Sequence, residues 1–178
     1  MKLLLDVLVV VALASPALAQ TDITENVATN TTWSTTGSPY ILQGDIDVTS
    51  GSVLTIDPGV TVKFDAAARL GTHAGCSIVA NGTVGNDILF TSSSGTPAPY
   101  DWYAVYLFQS PASSFSYCTF EYAQFNLYIT QSDPTVSRCT SRNSSYGITC
   151  DGASPQIESC DIIQNMNGVV IGKATSLL

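Results

Sequence analysis

The sequence predicts an all-β fold, a right-handed parallel β-helix whose coils are about 21 residues long. One observation is a set of residue columns that recur every 21 positions in the C-terminal half of the chain. A second is the series of short β-rich runs broken by Gly, Asn, Ser and Pro. A third is composition, because only 11% of the residues are charged and Thr, Ser and Gly are abundant.

The 21-residue columns are the strongest of these signals. A fixed period near 20 residues means that each repeat is one unit that cannot bury its apolar face alone. Parallel coils stacked about 4.8 Å apart place equivalent residues in ladders, so the apolar columns should fill the interior. The right-handed sense follows from the rule for parallel crossover connections. A leucine-rich repeat is the main alternative, but its Leu-x-x-Leu-x-Leu frame is missing. The columns are Phe115/Val136/Ile157, Cys118/Cys139/Cys160, Leu127/Ile148/Val169 and Ile129/Cys150/Ile171.

A further column, Asn126/Gly147/Gly168, precedes one of the apolar ladders. Gly and Asn enter the left-handed backbone region at the least cost. This column therefore predicts a sharp left-handed bend in every coil.

Five cysteines cannot form a complete intramolecular disulfide framework. The column Cys118/Cys139/Cys160 favours buried free thiols that act as small apolar side chains. A single Cys139–Cys160 bridge is the alternative, because neighbouring ladder positions lie within disulfide range.

The repeat Pro-x-Val/Ile-x-x-Cys-Thr/Asp, followed by an Asn and then Gly-Ile/Val, occurs over residues 134–148 and 155–169. It resembles the repeat of bacterial secreted right-handed parallel β-helix proteins, in the pectate-lyase-like β-helix superfamily. Segments 53–60 and 80–92 resemble the leading coils of the same group. The resemblance covers nearly the whole chain after residue 19. It implies the fold and leaves the activity open, because β-helices serve many functions.

The chain divides into three predicted parts. Residues 1–19 have a basic start, an apolar run and a small-x-small cleavage site, which predicts a signal peptide and a secreted or cell-surface protein. Residues 20–44 are predicted to be an N-terminal entry segment in which Trp33 and Tyr40 cover the open end of the core. Residues 45–178 are predicted to form the β-helix. We expect it to continue past Leu178, because no capping segment follows the last coil.

Charge and hydropathy exclude some classes of partner. The formal net charge of −8 argues against nucleic-acid binding, which needs a basic surface. No segment after the signal is apolar enough to be a membrane span. No cofactor is predicted; Ca²⁺ is compatible with the acidity, but the sequence shows no site for it.

The search for catalytic groups finds one candidate polar patch on adjacent coils, formed by Arg138, Arg142, Glu158 and Asp161. A lyase would need such a basic group beside carboxylates that bind Ca²⁺. The simpler interpretation is that these four charged residues are solvated side chains on the outer surface with no role in catalysis. The pair of tuned carboxylates that a glycoside hydrolase needs is not recognisable.

Aromatic residues cluster between Tyr100 and Tyr128. Most should fill the interior, and any that point outward would form a stacking surface for sugars. Trp102 and Tyr106 are the candidate ligand contacts.

Together these observations predict a non-catalytic secreted or cell-surface β-helix, adhesin-like or in contact with carbohydrate. Its partners would be polysaccharides or other cell-surface components. The alternative is a polysaccharide lyase or glycoside hydrolase whose active coils lie partly beyond Leu178. A convergent Arg among clustered acids on one lateral face would favour the enzyme, and scattered charges would favour the binding module.

Overall fold

The computed structural model describes residues 20–172, so the predicted signal peptide lies outside the described residues. These residues form a parallel β-solenoid of about seven turns, which confirms the predicted fold class. Nineteen strands form three parallel sheets that run along the solenoid. The other regular element is a short 3₁₀ turn at Thr35–Gly37.

Each coil contributes one strand to each sheet in turn. Sheet A contains β1 (Thr21–Ile23), β3 (Tyr40–Leu42), β6 (Thr61–Phe64), β9 (Ile88–Ser92), β12 (Cys118–Glu121), β15 (Thr140–Arg142) and β18 (Asp161–Ile163). Sheet B contains β4 (Ile46–Val48), β7 (Leu70–Thr72), β10 (Trp102–Phe108), β13 (Ala123–Thr130), β16 (Tyr146–Asp151) and β19 (Asn167–Ile171). Sheet C contains β2 (Thr31–Trp33), β5 (Val53–Ile56), β8 (Ser77–Asn81), β11 (Ser114–Ser116), β14 (Thr135–Ser137) and β17 (Gln156–Glu158).

Three of the predicted ladders are present in register. Phe115 pairs with Val136 and Val136 with Ile157 in sheet C. In sheet B the ladders are Leu127/Ile148/Val169 and Ile129/Cys150/Ile171. In-register stacking explains the sequence period, because equivalent positions in successive coils meet the same neighbours.

The coil length is not constant along the solenoid. Leu127 and Ile148 are one coil of 21 residues apart, whereas Leu70 pairs with Val105, a step of 35 residues. The longer coil contains the loop between β9 and β10, which leaves the solenoid at Ser93 and returns at Asp101. Insertions of this kind lie at a corner and leave the sheet register intact.

The interior is filled by stacked aliphatic and aromatic side chains. The rings of Phe64 and Trp102 lie 4.0 Å apart and nearly parallel, and those of Phe90 and Phe120 lie 4.7 Å apart. All four side chains are fully buried. Burying a ring of this size contributes roughly 1.5–3 kcal/mol, so these stacks are a main source of stability in the middle coils.

The predicted position of the left-handed bends is wrong. Asn126, Gly147 and Gly168 do not have positive φ. The positive-φ residues stand at the corners between sheets and form their own columns at nearly the same period. These columns are Tyr117/Arg138/Ser159 (φ 48°, 52° and 54°), Tyr122/Asn143/Gln164 (φ 68°, 52° and 55°) and Gln109/Gln131/Gly152 (φ 46°, 49° and 59°).

Close packing explains the glycine at position 147. A Cβ there would stand 2.6 Å from the carbonyl oxygen of Gly168 and 2.7 Å from Cγ2 of Ile162. Both distances are shorter than real Cβ contacts, so position 147 has no room for a side chain. In the preceding coil, the same column holds the buried side chain of Asn126.

All five cysteines are free thiols in the structure. Cys118 and Cys139 are buried, as predicted for a thiol column, whereas Cys160 is partly exposed in the last coil. The backbone N–H of Cys139 donates to Sγ of Cys160 at 3.5 Å, which shows how closely the two coils approach.

The predicted entry segment contributes strands to the same ladders as the later coils. Its strands β1 and β3 extend sheet A, and β2 extends sheet C. Trp33 and Tyr40 are both buried, and their rings stack at 4.9 Å with an interplanar angle of 11°. The Tyr40 hydroxyl also accepts a hydrogen bond from the backbone N–H of Ser34 at 2.9 Å. Residues 20–44 therefore form part of the solenoid.

The last described coil is more open than the others. Met166, Val169 and Ile171 are 68%, 47% and 70% exposed. Within residues 20–172, no helix is long and apolar enough to cross a membrane.

Candidate binding face

The structure corrects the prediction that Trp102 is a ligand contact. Trp102 has no exposed surface, and its ring stacks on Phe64 inside the solenoid. Its indole Nε1–H donates to the backbone oxygen of Glu121 at 2.9 Å. A side chain with its ring packed and its one donor satisfied belongs to the core.

Tyr106 lies on the outer surface of sheet B, where it is partly exposed. It is one of five outward rings from three successive coils, and together they form what we call the aromatic face: Tyr103, Tyr106, Phe125, Tyr128 and Tyr146.

The rings of the aromatic face contact one another across the strands. The ring centroids of Tyr106 and Tyr128 lie 5.3 Å apart, and those of Phe125 and Tyr146 lie 4.7 Å apart and nearly parallel. Phe125 also lies 5.7 Å from Tyr103 and 5.0 Å from Tyr128. Because these separations are typical of favourable aromatic pairs, the five rings form one continuous surface.

An irregularity in the strands turns both tyrosines of β10 outward. In a regular strand, residues three apart point to opposite faces. The register between β10 and β13 shifts between Ala104 and Val105, and both of these residues are buried. Tyr103 and Tyr106 therefore share the outer surface. In the next coil, Phe125 and Tyr128 flank the buried pair Asn126 and Leu127 in the same way.

A buried polar cluster supports this irregularity from inside. The amide of Asn126 donates to Oγ of Ser141 and accepts from Oγ of Ser144, both at 2.8 Å. The Ser144 hydroxyl also accepts from the backbone N–H of Ala123 at 2.9 Å. Because a buried amide must be hydrogen-bonded to avoid a large desolvation cost, these contacts fix the backbone beneath Phe125 and Tyr128.

A charged group adjoins one end of the aromatic face. Arg69 donates through Nη1 and Nη2 to the two carboxylate oxygens of Asp47 at 2.8 and 2.9 Å, and through Nε to Asp45 at 3.0 Å. Its Cζ lies 5.8 Å from the ring centre of Tyr106. His73 Nε2 lies 3.6 Å from Oδ2 of Asp47, which also accepts the hydrogen bond from Arg69 Nη2.

Gly71 makes room for this charged group. It lies between Asp47 and Tyr106 in the ladder, and a Cβ there would collide with the Arg69 guanidinium and the Asp47 carboxylate. Burial lowers the pKa of Arg69, but its hydrogen bonds to Asp47 and Asp45 outweigh that effect and leave the pKa raised. The Arg69 guanidinium is therefore a fixed, charged part of the surface, held by a bidentate contact with Asp47.

Asp151 carries negative charge near the other side of the aromatic face, next to Thr130 in sheet B. The pKa of Tyr128 is raised, first by burial and then by the charge of Asp151 and the neighbouring phenols of Tyr103 and Tyr106. The Tyr128 phenol therefore stays neutral at physiological pH and can donate a hydrogen bond.

The structure separates the predicted polar patch. Arg142 donates through Nε to Oε2 of Glu121 at 2.9 Å, and the guanidinium of Arg138 lies 5.8 Å from the ring centre of Tyr117. Glu158 lies on sheet C and Asp161 on sheet A. Among the described residues, no ion pair joins two members of this patch.

Glu121 is the charged group that the sequence did not single out. It is only 8% exposed and also accepts a hydrogen bond from Thr91 Oγ1 at 3.0 Å. The column Thr91/Glu121/Arg142 on sheet A is a satisfied polar ladder. In the described part of the chain, no group of three or more His, Cys, Asp or Glu side chains could hold a metal ion.

Neither the curated proteins nor the solved structures contain a match to this chain. A family model described as "Right handed beta helix region" matches residues 21–177, which is most of the sequence. The match spans the same three-sheet solenoid that the structure shows. The chain belongs to the right-handed β-helix family.

Proposed function

We propose that this protein is a secreted or cell-surface β-helix module that binds carbohydrate chains, as an adhesin-like contact, on the aromatic face of sheet B. The observation that carries the proposal is the row of five outward rings from three successive coils, described above. A soluble protein rarely exposes a contiguous group of large rings unless they contact something.

The chemistry of this surface suits a sugar. The C–H faces of a pyranose pack against an aromatic ring, and the sugar hydroxyls require hydrogen-bond partners at its rim. Tyr103, Tyr106, Tyr128 and Tyr146 each supply a phenol that can donate and accept. The rings are held by their contacts with one another, so little side-chain freedom is lost when a ligand binds.

The position of the face on sheet B also supports binding of an extended chain. Strands β10, β13 and β16 run side by side, and the rings repeat at the coil spacing. A shallow depression lined by Ser50, His73 and Phe108 lies at the C-terminal ends of β4, β7 and β10 in the same sheet. A linear polymer could therefore contact several coils at once.

Isothermal titration of the purified protein with a panel of oligosaccharides tests this function. We expect Tyr106→Ala and Phe125→Ala each to weaken binding by about 1 kcal/mol or more, because each removes stacking area. Tyr117→Ala is the matched control, since Tyr117 stands at the corner between sheets C and A. Equal loss from the control variant, or no binding by the unaltered protein, would overturn the proposal.

The same preparation tests the enzymatic alternative. Incubation with polysaccharides, with and without Ca²⁺, should release neither new reducing ends nor unsaturated sugars. Sustained release of either product would assign the protein to the lyases or hydrolases.

A further inference from the structure

The charges around the aromatic face restrict which sugars it can take, and this argument rests on the proposed function. Within residues 20–172 there are four Lys and Arg side chains: Lys63, Arg69, Arg138 and Arg142. Lys63 and Arg142 lie on sheet A, and Arg138 lies at the corner between β14 and β15. Arg69 is thus the one cation of the described chain that borders the face.

Arg69 is already engaged by two acids. Its guanidinium forms a bidentate pair with Asp47 and a further hydrogen bond with Asp45. Arg69 and Asp47 are 24% and 15% exposed, so both side chains of the pair are largely buried. An incoming carboxylate would have to displace Asp47 from an arrangement that already satisfies the guanidinium fork.

The remaining charges near the face are negative. Asp45 and Asp47 together outweigh the single charge of Arg69, and Asp151 adds a third acid on the other side. Burial is the main cause of the raised pKa of Tyr128, and the charge of Asp151 adds to it. Within residues 20–172, no unpaired cation borders the face, so a sugar that carries its own carboxylate or sulfate would meet like charges there.

We infer that the aromatic face binds uncharged glycan chains and discriminates against uronate-bearing and sulfated ones. A neutral pyranose can stack on the rings and accept hydrogen bonds from the phenols, and the nearby acids do not repel it because it carries no charge. The charged border then acts as a selectivity element, with Asp47 holding Arg69 so that it is not available to an anionic sugar.

Titration with hexasaccharides of equal length but different charge tests this inference. The neutral probes are cellohexaose, xylohexaose and mannohexaose, and the acidic probes are hexagalacturonate and hexamannuronate. At low ionic strength we expect the best neutral probe to bind at least about tenfold more tightly than either acidic probe, because like charges within a few ångströms repel. The ratio should fall in 0.5 M NaCl, as roughly a 4–5 Å screening length would remove most of that repulsion.

Two matched variants separate a local effect from one of overall charge. Asp47→Asn frees Arg69 from its main partner, so the affinity for hexagalacturonate relative to the neutral probe should rise by at least about threefold. Asp87→Asn makes the same change in net charge at an exposed corner outside the face and should leave that ratio unchanged. Thermal melts of both variants confirm that they remain folded.

The outcomes distinguish the inference from the function on which it rests. Equal or tighter binding of the acidic probes, or an equal shift from Asp87→Asn, overturns the inference and leaves carbohydrate binding in place. Failure of every probe, neutral and acidic, to bind overturns the proposed function itself.

Discussion

A methyl group on Gly147 would stand 2.6 Å from the carbonyl oxygen of Gly168 in the next coil. The backbones of β16 and β19 are therefore packed against each other at a point where any side chain would enter occupied space. Position 147 requires glycine because neighbouring atoms occupy the space of a side chain. Backbone conformation is not the reason, since φ of Gly147 lies outside the left-handed region.

The first prediction follows from this contact. Gly147→Ala should lower the free energy of unfolding by about 1–3 kcal/mol, as overpacking in a closed site does. Gly168→Ala is the control, because a Cβ there meets only Cγ2 of Ile162 at the ordinary distance of 3.9 Å. It should be neutral or slightly stabilising, by about 0.4–1 kcal/mol through the unfolded chain. Urea denaturation of both variants is the measurement, and equal midpoints would contradict the argument.

A second prediction concerns the thiol column. Burial raises the pKa of Cys118 well above its usual value, and its Sγ lies 3.1 Å from the backbone oxygen of Ala80. Because only the thiolate reacts, and because the buried sulfur is closed to reagents, Cys118 should resist iodoacetamide in the folded protein. Cys160 is partly exposed and should be labelled first.

Peptide mass spectrometry after timed labelling checks this order. Denatured protein, in which all five thiols should react together, provides the control. Labelling of Cys118 as fast as Cys160, or a linked Cys139–Cys160 peptide before reduction, would contradict the structure.

A third prediction tests the reassignment of Trp102 to the core. Trp102→Ala should cost roughly 3–5 kcal/mol, because it opens a cavity against Phe64 and leaves the Glu121 carbonyl without its indole donor. Trp102→Phe keeps a ring and should cost less. Tyr106→Ala, in the same strand but on the outer surface, should cost well under half as much. Chemical denaturation followed by far-UV circular dichroism compares the three variants.

The sequence was sufficient to predict the ladders because each apolar column has the same neighbours in every coil. For this reason the 21-residue step of Phe115/Val136/Ile157 is visible in the sequence, and the structure pairs these residues. The corners could not be predicted in the same way. Tyr117 and Arg138 adopt positive φ although their side chains disfavour it, because the strands on either side fix the direction of the chain.

Which aromatic side chains point inward and which point outward could also not be predicted from the sequence. Simple alternation places Trp102, Ala104 and Tyr106 on one face of the strand. The register shift after Ala104 reverses that pattern, so Trp102 is buried and Tyr106 is partly exposed on the outer surface. Asn126 is the residue of β13 that the shift leaves without a partner in β10, and its hydrogen bonds to Ser141 and Ser144 join residues distant in sequence.

The last prediction concerns the polar ladder Thr91/Glu121/Arg142 on sheet A. Glu121 is nearly buried, so removal of its cationic partner should leave a charge with poor solvation. Arg142→Ala should therefore lower the free energy of unfolding by about 1–3 kcal/mol, which is the range for a hydrogen-bonded group left unpaired. Because Arg142 is 43% exposed, we expect a loss toward the lower end of that range. Arg142→Lys should recover part of the lost stability. A double-mutant cycle with Glu121→Gln isolates the pair, because Gln keeps an acceptor for Thr91 and has no charge to balance. If the contact between Arg142 and Glu121 is structural, the cycle should give a coupling energy in denaturation experiments, and the oligosaccharide affinity should not change. Loss of oligosaccharide binding in a stable Arg142→Lys protein would instead place the functional surface on sheet A.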